Sequence, residues 1–161
     1  MMKTAELVLT QEWDKTFPKS DKVDHSKMTF INRYGITLAA DMYVPKDTEG
    51  KLPAIAVSGP FGAVKEQSSG LYAQAMAERG FLTIAFDPSF TGESGGEPRY
   101  MASPDINTED FMAAVDFFRS MTKSITNASV LSVSAAGAVW ESTRRRSILE
   151  LRRRSLQRCT T

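Results

Sequence analysis

One cysteine and one histidine in 161 residues remove whole classes of chemistry. Cys159 alone cannot close an internal disulfide or build a multi-cysteine metal site, and His25 alone cannot make a histidine-rich one. No metal or other cofactor is expected, since the glycines follow neither the G-x-G-x-x-G nor the P-loop spacing that cradles phosphates. Long apolar runs are also missing. The N-terminal MMKTAELVLTQEWDK holds an apolar run of only four residues, too short for a signal peptide, and nothing approaches a membrane span. The expected compartment is the cytoplasm. A formal net charge of +1 leaves no dominant electrostatic partner, but it hides an asymmetry. Residues 141–161 carry seven arginines against Glu141 and Glu150, a net of +5, which leaves −4 for residues 1–140.

What is present reads as an α/β chain. Residues 1–26 are polar and lysine-rich, with Trp13 and Phe17 as the large anchors, and form an N-terminal arm expected to pack weakly with His25 in solvent. Lys27 to Arg33 and Ile36 to Val44 are two β-like runs about Tyr34-Gly35, a hairpin pattern. Ala54 to Val57 and Phe81 to Phe86 are short, continuously apolar and closed by turn residues, as buried parallel strands are. Between them Leu71, Ala75, Met76 and Arg79 keep helical spacing, and Gly80 stands where a helix favours a C-terminal glycine. After a Gly-, Pro- and Ser-rich loop, Asn107 is the expected cap of a second helix, with Asp110 in the capping-box position. Phe111, Ala114, Val115 and Phe118 make that helix's apolar face. Val130 to Val133 is a candidate further strand. The expected organisation is an arm (1–26), an α/β domain (27–125) and an atypical arginine-rich tail (126–161).

Three stretches in order, DHSKMTFINRYGITLAADMYVP, LPAIAVSGPFGAVKEQSSGLYAQAMAERGF and TIAFDPSFTGESGGEPRYMASPDINTEDF, resemble the α/β-hydrolase superfamily and its dienelactone-hydrolase-like branch. The resemblance spans about residues 24–120, roughly 60% of the chain. It implies the N-terminal half of an α/β-hydrolase fold: an antiparallel hairpin leading into a parallel sheet with flanking helices, truncated relative to an eight-stranded sheet. It also implies a nucleophile on a sharp turn after the fifth strand, with an acid and a histidine later in the chain. The loop Ser58-Gly59-Pro60-Phe61-Gly62 matches the one that supplies an oxyanion-hole amide in the family, so the Phe61 or Gly62 N–H is the candidate donor. The substrate class implied is a small ester-like molecule.

The pattern breaks after about residue 125. Ser134, between Ser132 and Ala136, loosely echoes G-x-S-x-G and is the candidate nucleophile, but no histidine follows it. Ala135 to Trp140 can be encoded GCG GCT GGG GCG GTA TGG, which read two bases on gives Gly-Trp-Gly-Gly-Met, closer to an elbow. Alanine-rich segments encoded by GC-rich codons become arginine runs on such a shift, so a frameshift near residues 120–128 is one expected origin of the tail. The chain is then inactive as written, with an unpaired sheet edge that favours self-association. The alternative is a non-catalytic interaction protein whose basic helix, Arg144–Arg146 and Arg152–Arg154 about Ile148, Leu149 and Leu151, binds anionic partners. Nothing upstream resembles a nucleic-acid module, and no specific nucleic-acid or membrane partner is expected.

Overall fold

Alternating side chains form the first two strands, β1 (Val23–Ile31) and β2 (Thr37–Pro45), in a computed structural model. It describes residues 12–121 except 47, 49 and 51, positions 7 and 9, and the backbone of 125–130. The two strands pair antiparallel with Lys27 opposite Asp41 and Ile31 opposite Thr37. Gly35 turns the hairpin at φ 78°, and the Asn32 side-chain oxygen accepts from the Tyr34 and Ile36 amides at 3.0 Å each, an Asx-type closure. β1 begins at Val23, ahead of the Lys27 start expected from the sequence.

β3 (Leu52–Val57) and β4 (Leu82–Phe86) are the two apolar runs, joined by α1 (Ser68–Ala77) and paired in parallel. Gly80, at φ 91°, ends the helix: its N–H donates to the Ala77 carbonyl at 2.9 Å and that of Phe81 to Met76 at 3.3 Å, the Schellman pair of bonds. α2 (Pro104–Ser120) follows, and β5 (Ile125–Val130) lies parallel to β3. The sheet order is β1-β2-β4-β3-β5, with β2 and β4 antiparallel.

Period-two alternation divides the core between the two faces of the sheet. Ala54, Ala56, Leu82, Ile84 and Phe86 meet Phe111, Ala114 and Phe118 of α2 on one face. Ile55, Val57, Ala85 and Tyr43 meet Ala73 and Ala77 of α1 on the other, with Phe17 of the arm. The apolar face expected of α2 is therefore the buried one. That of α1 is not: Leu71 is 50% exposed, and the helix buries Ser69, Gly70, Ala73, Gln74 and Ala77 instead. Small residues allow the close approach, since a Cβ on Gly70 would lie 2.3 Å from the Lys65 carbonyl oxygen. The cap of α2 also differs from expectation. Ser103 Oγ accepts from the Ile106 amide and Pro104 opens the first turn, which leaves Asn107 inside the helix. Among the described residues no helix is long and apolar enough to cross a membrane.

Candidate active site

Because β3 and β4 are parallel, the loops that follow them leave the sheet at the same end, where open α/β sheets place their ligands. The loop after β3 makes a turn in which the Ala63 N–H donates to the Pro60 carbonyl at 3.0 Å. Phe61 and Gly62 are its central residues, and Gly62 takes φ 82°, as the third position of a type II turn requires. The Phe61 side chain is 64% exposed. Among the described residues neither the Phe61 nor the Gly62 N–H donates to a protein acceptor.

The base of this turn is built from charge. Lys65, fully buried, donates from its backbone N–H to Asp87 Oδ1 at 2.8 Å and from Nζ to Asp87 Oδ2 at 3.0 Å. Its Nζ also meets Glu93 at 2.6 Å and Glu66 at 2.5 Å. Burial works against the charged form of Lys65, but Asp87, Glu66 and Glu93 outweigh it and hold the pKa above its ordinary value. Burial pushes the Asp87 carboxyl up, against the Lys65 ammonium and the Glu93 and Lys65 amides. It would raise Glu93 as well, but Lys65 and Lys27 hold that group below its ordinary value.

From there the network runs to the arm. Lys27 pairs with Glu93 at 3.3 Å and with Asp14 at 2.6 Å, and Lys15 with Asp41 at 3.0 Å. Partial burial would raise the Asp14 carboxyl, but Lys15 and Lys27 hold it down to about 2. Asp14, Glu66 and Glu93 each bring one carboxylate oxygen within 4.8 Å of the others, the separation a metal site would need. All three already pair with the Lys27 or Lys65 ammonium.

His25, expected in solvent, lies on β1 with its side chain only 6% exposed and Nε2 2.9 Å from Asp41 Oδ1. Trp13 covers it edge-on at 5.1 Å, so the arm packs firmly here: its indole N–H donates to the Phe17 carbonyl, and Phe17 is buried.

The loop after β4 is held from both sides. Asp110 of α2, fully buried, accepts from the Ser89 N–H, the Ser89 hydroxyl and Asn32 Nδ2, each at 2.8 Å. Burial raises the Asp110 pKa despite these three donors. Ser94 Oγ donates to the Asp87 carbonyl at 2.7 Å and accepts from the Ala39 N–H at 2.9 Å. Gly92 leaves room for the Asp87 carboxylate: at φ 54°, a Cβ there would stand 2.2 Å from Asp87 Oδ2.

Phe61 and Gly62 are thus placed on one exposed turn beside a rigid loop. Ser134 and the arginine-rich tail lie outside the described residues. The Lys65–Asp87 pair was missed by sequence reasoning, and its one sequence signal is an acidic residue directly after the apolar run of β4.

Residues 34–145 match the family described as X-Pro dipeptidyl-peptidase (S15 family). The uncharacterized protein PA2218 of Pseudomonas aeruginosa is 77% identical over 113 residues, 70% of this chain and 30% of its own. Its crystal structure superposes with a TM-score of 0.75 at 69% identity, over 78% of this chain and 40% of that one. The thiohydrolase aneE of Aspergillus aculeatus is 31% identical over 100 residues, 62% of this chain and 30% of its own. The α/β hydrolase GrgF from Penicillium sp. sh18 shares the fold, with a TM-score of 0.61 at 23% identity over 68% of this chain and 37% of that one. The chain spans about a third of the length of the curated relatives it matches. With the hairpin, the parallel β3–α1–β4 unit and the sheet order in place, these matches identify the chain as a member of the X-Pro dipeptidyl-peptidase (S15) family, with part of an α/β-hydrolase fold.

Proposed function

We propose that the chain carries the oxyanion-binding side of an acyl-transfer hydrolase acting on a small ester or thioester. One observation carries this reading: two amides, those of Phe61 and Gly62, have no protein acceptor among the described residues and stand on an exposed turn at the carboxyl end of the parallel strands. Fixed N–H donors stabilise the negative charge that develops on a carbonyl oxygen under attack, because they need not reorganise as the charge forms. The similarity to a thiohydrolase supports a thioester or ester carbonyl as the group acted on. Within the superfamily we place the chain beside the dienelactone-hydrolase-like enzymes, on the order of its turns from Asp24 to Phe111.

The other half of the chemistry needs a nucleophile and a base. The sequence holds one histidine, and His25 is engaged with Asp41 inside the sheet. We read these 161 residues by themselves as inactive, since beyond His25 they hold no histidine that could serve Ser134, the candidate nucleophile, as a base. The alternative, anion binding by the arginine-rich tail, concerns residues outside those described, and no observation favours it.

The turn geometry supplies a clean test. Proline is favoured at the second position of a type II turn, so Phe61→Pro removes one N–H and keeps the turn, while Phe61→Ala removes only the side chain. Methylphosphonate, a tetrahedral anion, is titrated into ¹⁵N-labelled protein. The Gly62 amide signal is expected to move in the wild type and in Phe61→Ala, and to respond at least about tenfold more weakly in Phe61→Pro, since a hydrogen bond to a charged group contributes about 1.5–3 kcal/mol. Absence of movement at Phe61 and Gly62 in the wild type overturns the reading.

A further inference from the structure

The turn bearing the two amides has little of its own to hold it. Phe61 points mostly into solvent, and nothing lies within 4 Å of the position a Gly62 Cβ would take. Its internal backbone bonds are Ala63 to Pro60 and Gln67 to Val64. Donors on such a turn would swing with it, and swinging donors stabilise a developing charge poorly. What fixes the turn must lie at its base.

Lys65 is built for that task. It uses its backbone N–H and its ammonium on the two oxygens of one carboxylate, Asp87, at 2.8 and 3.0 Å. Asp87 is itself immobilised: its N–H donates to the Ala39 carbonyl of β2, its carbonyl accepts from Ser94, and its Oδ2 accepts from the Glu93 N–H. Both charged groups of the clasp are fully buried, so neither can exchange its partner for water at low cost. On the outer side the Thr16 N–H of the arm donates to the Glu66 carbonyl at 3.1 Å, so the residue next to Lys65 is also tied down. The direction of the turn is thus set by a clasp that begins three residues beyond Gly62 and ends on the central strands.

We propose that Lys65 is a positioning residue for the Phe61 and Gly62 amides, acting through Asp87 without contact with the substrate. The proposal rests on the oxyanion reading above. Arm, post-β4 loop and turn form one rigid body through this lysine. Loosening the clasp frees the turn while the sheet beneath it keeps its order.

The test uses the 161-residue chain, ¹⁵N relaxation and methylphosphonate. Lys65→Met keeps an unbranched apolar stem and removes the ammonium. Asp87→Asn keeps the shape and removes the opposing charge, and it is read in the same way if the first variant does not fold. In the wild type, order parameters at Phe61 and Gly62 are expected near the rigid value of about 0.85, and in the variants below about 0.6. Ile55 and Ile84, in the central strands, should not change. The slowly exchanging Lys65 ammonium signal expected of a buried pair should be lost or shifted in Asp87→Asn. The response of the turn amides to methylphosphonate should weaken by about tenfold, because a loose turn must be ordered on binding. Unchanged order at Phe61 and Gly62 in both variants overturns the proposal and leaves the oxyanion reading standing. A parallel fall at Ile55 and Ile84 overturns it too, since Lys65 then serves the whole fold. A wild type that is ordered yet blind to methylphosphonate removes the oxyanion reading, and the proposal with it.

Discussion

Replacing Asp110 by alanine separates two opposite expectations by sign. On helix propensity alone Asp110→Ala stabilises α2, since alanine is favoured over aspartate by up to about 0.7 kcal/mol in a helix interior. The structure argues the reverse. Asp110 is fully buried and satisfies the Ser89 N–H, the Ser89 hydroxyl and Asn32 Nδ2, each at 2.8 Å. The Ser89 hydroxyl can rotate, so two donors are left stranded, and each buried unpaired donor costs about 1–3 kcal/mol. Removing the buried carboxylate recovers part of its desolvation, as its raised pKa implies, so the lower part of the combined range applies. The net expectation is a loss of about 2–4 kcal/mol, a large fraction of a typical domain's stability of about 5–15 kcal/mol. At about 2–4 °C per kcal/mol for a chain of this length, the melting temperature should fall by at least about 4 °C. Circular dichroism at 222 nm, with heat and with urea, reads both quantities. A melting temperature that stays level or rises would refute the claim that Asp110 anchors the post-β4 loop.

The remaining predictions concern glycine, the arm and the gene. Gly92→Ala forces a Cβ to 2.2 Å from Asp87 Oδ2, whereas Gly35→Ala, also at positive φ, meets nothing within 4 Å. Both lose about 1–2 kcal/mol to the left-handed backbone, and Gly92→Ala should lose clearly more in urea unfolding because it also displaces the Lys65 partner. Asp14 has a folded pKa of about 2 against an ordinary 3.8, so its contribution to stability is present above that ordinary value and is lost as pH falls through about 2. Asp14→Asn should therefore be less stable than the wild type near neutrality, and the gap measured by Trp13 fluorescence should close on acidification; a gap constant from pH 6 to 2 contradicts this. Sequencing the gene across codons 118–130 should reveal an alternate frame encoding an elbow, an acidic residue and a histidine, whereas early stop codons in that frame end the frameshift account.

The parts of the fold legible in the sequence are those whose pattern is local. The apolar runs of β3 and β4, the turn at Gly35, the ending at Gly80 and the Phe111–Phe118 face of α2 each announce themselves within a few residues. The start of β1 does not, because its α1-side positions at His25 and Lys27 are polar. Their partners, Asp41 and Asp14, are far away in sequence or belong to the arm, so alternation of apolar residues fails there although the strand is regular. The buried face of α1 misleads for another reason: close packing selects Gly70 and Ala73 there, while Leu71 is left outside. The Ser103-Pro104 start of α2 was readable from cap chemistry and was obscured by Asn107 and Asp110, whose spacing mimics a capping box. The Lys65 cluster draws on residues 14, 27, 66, 87 and 93, a separation that no short motif encodes. At the candidate site, the turn at Phe61 and Gly62 was visible beforehand, through its glycines and proline.

The proposed reading divides the chemistry: it assigns oxyanion donors to the turn at Phe61 and Gly62 and assigns no activated nucleophile. Incubating the chain with p-nitrophenyl acetate and with an acetyl thioester, beside a Ser134→Ala control, tests that division most directly. Product release and intact-protein mass are followed together. The prediction is release no faster than in the control and no acetyl adduct on the protein. Turnover that disappears in Ser134→Ala, or an acetyl group carried by Ser134, would contradict it.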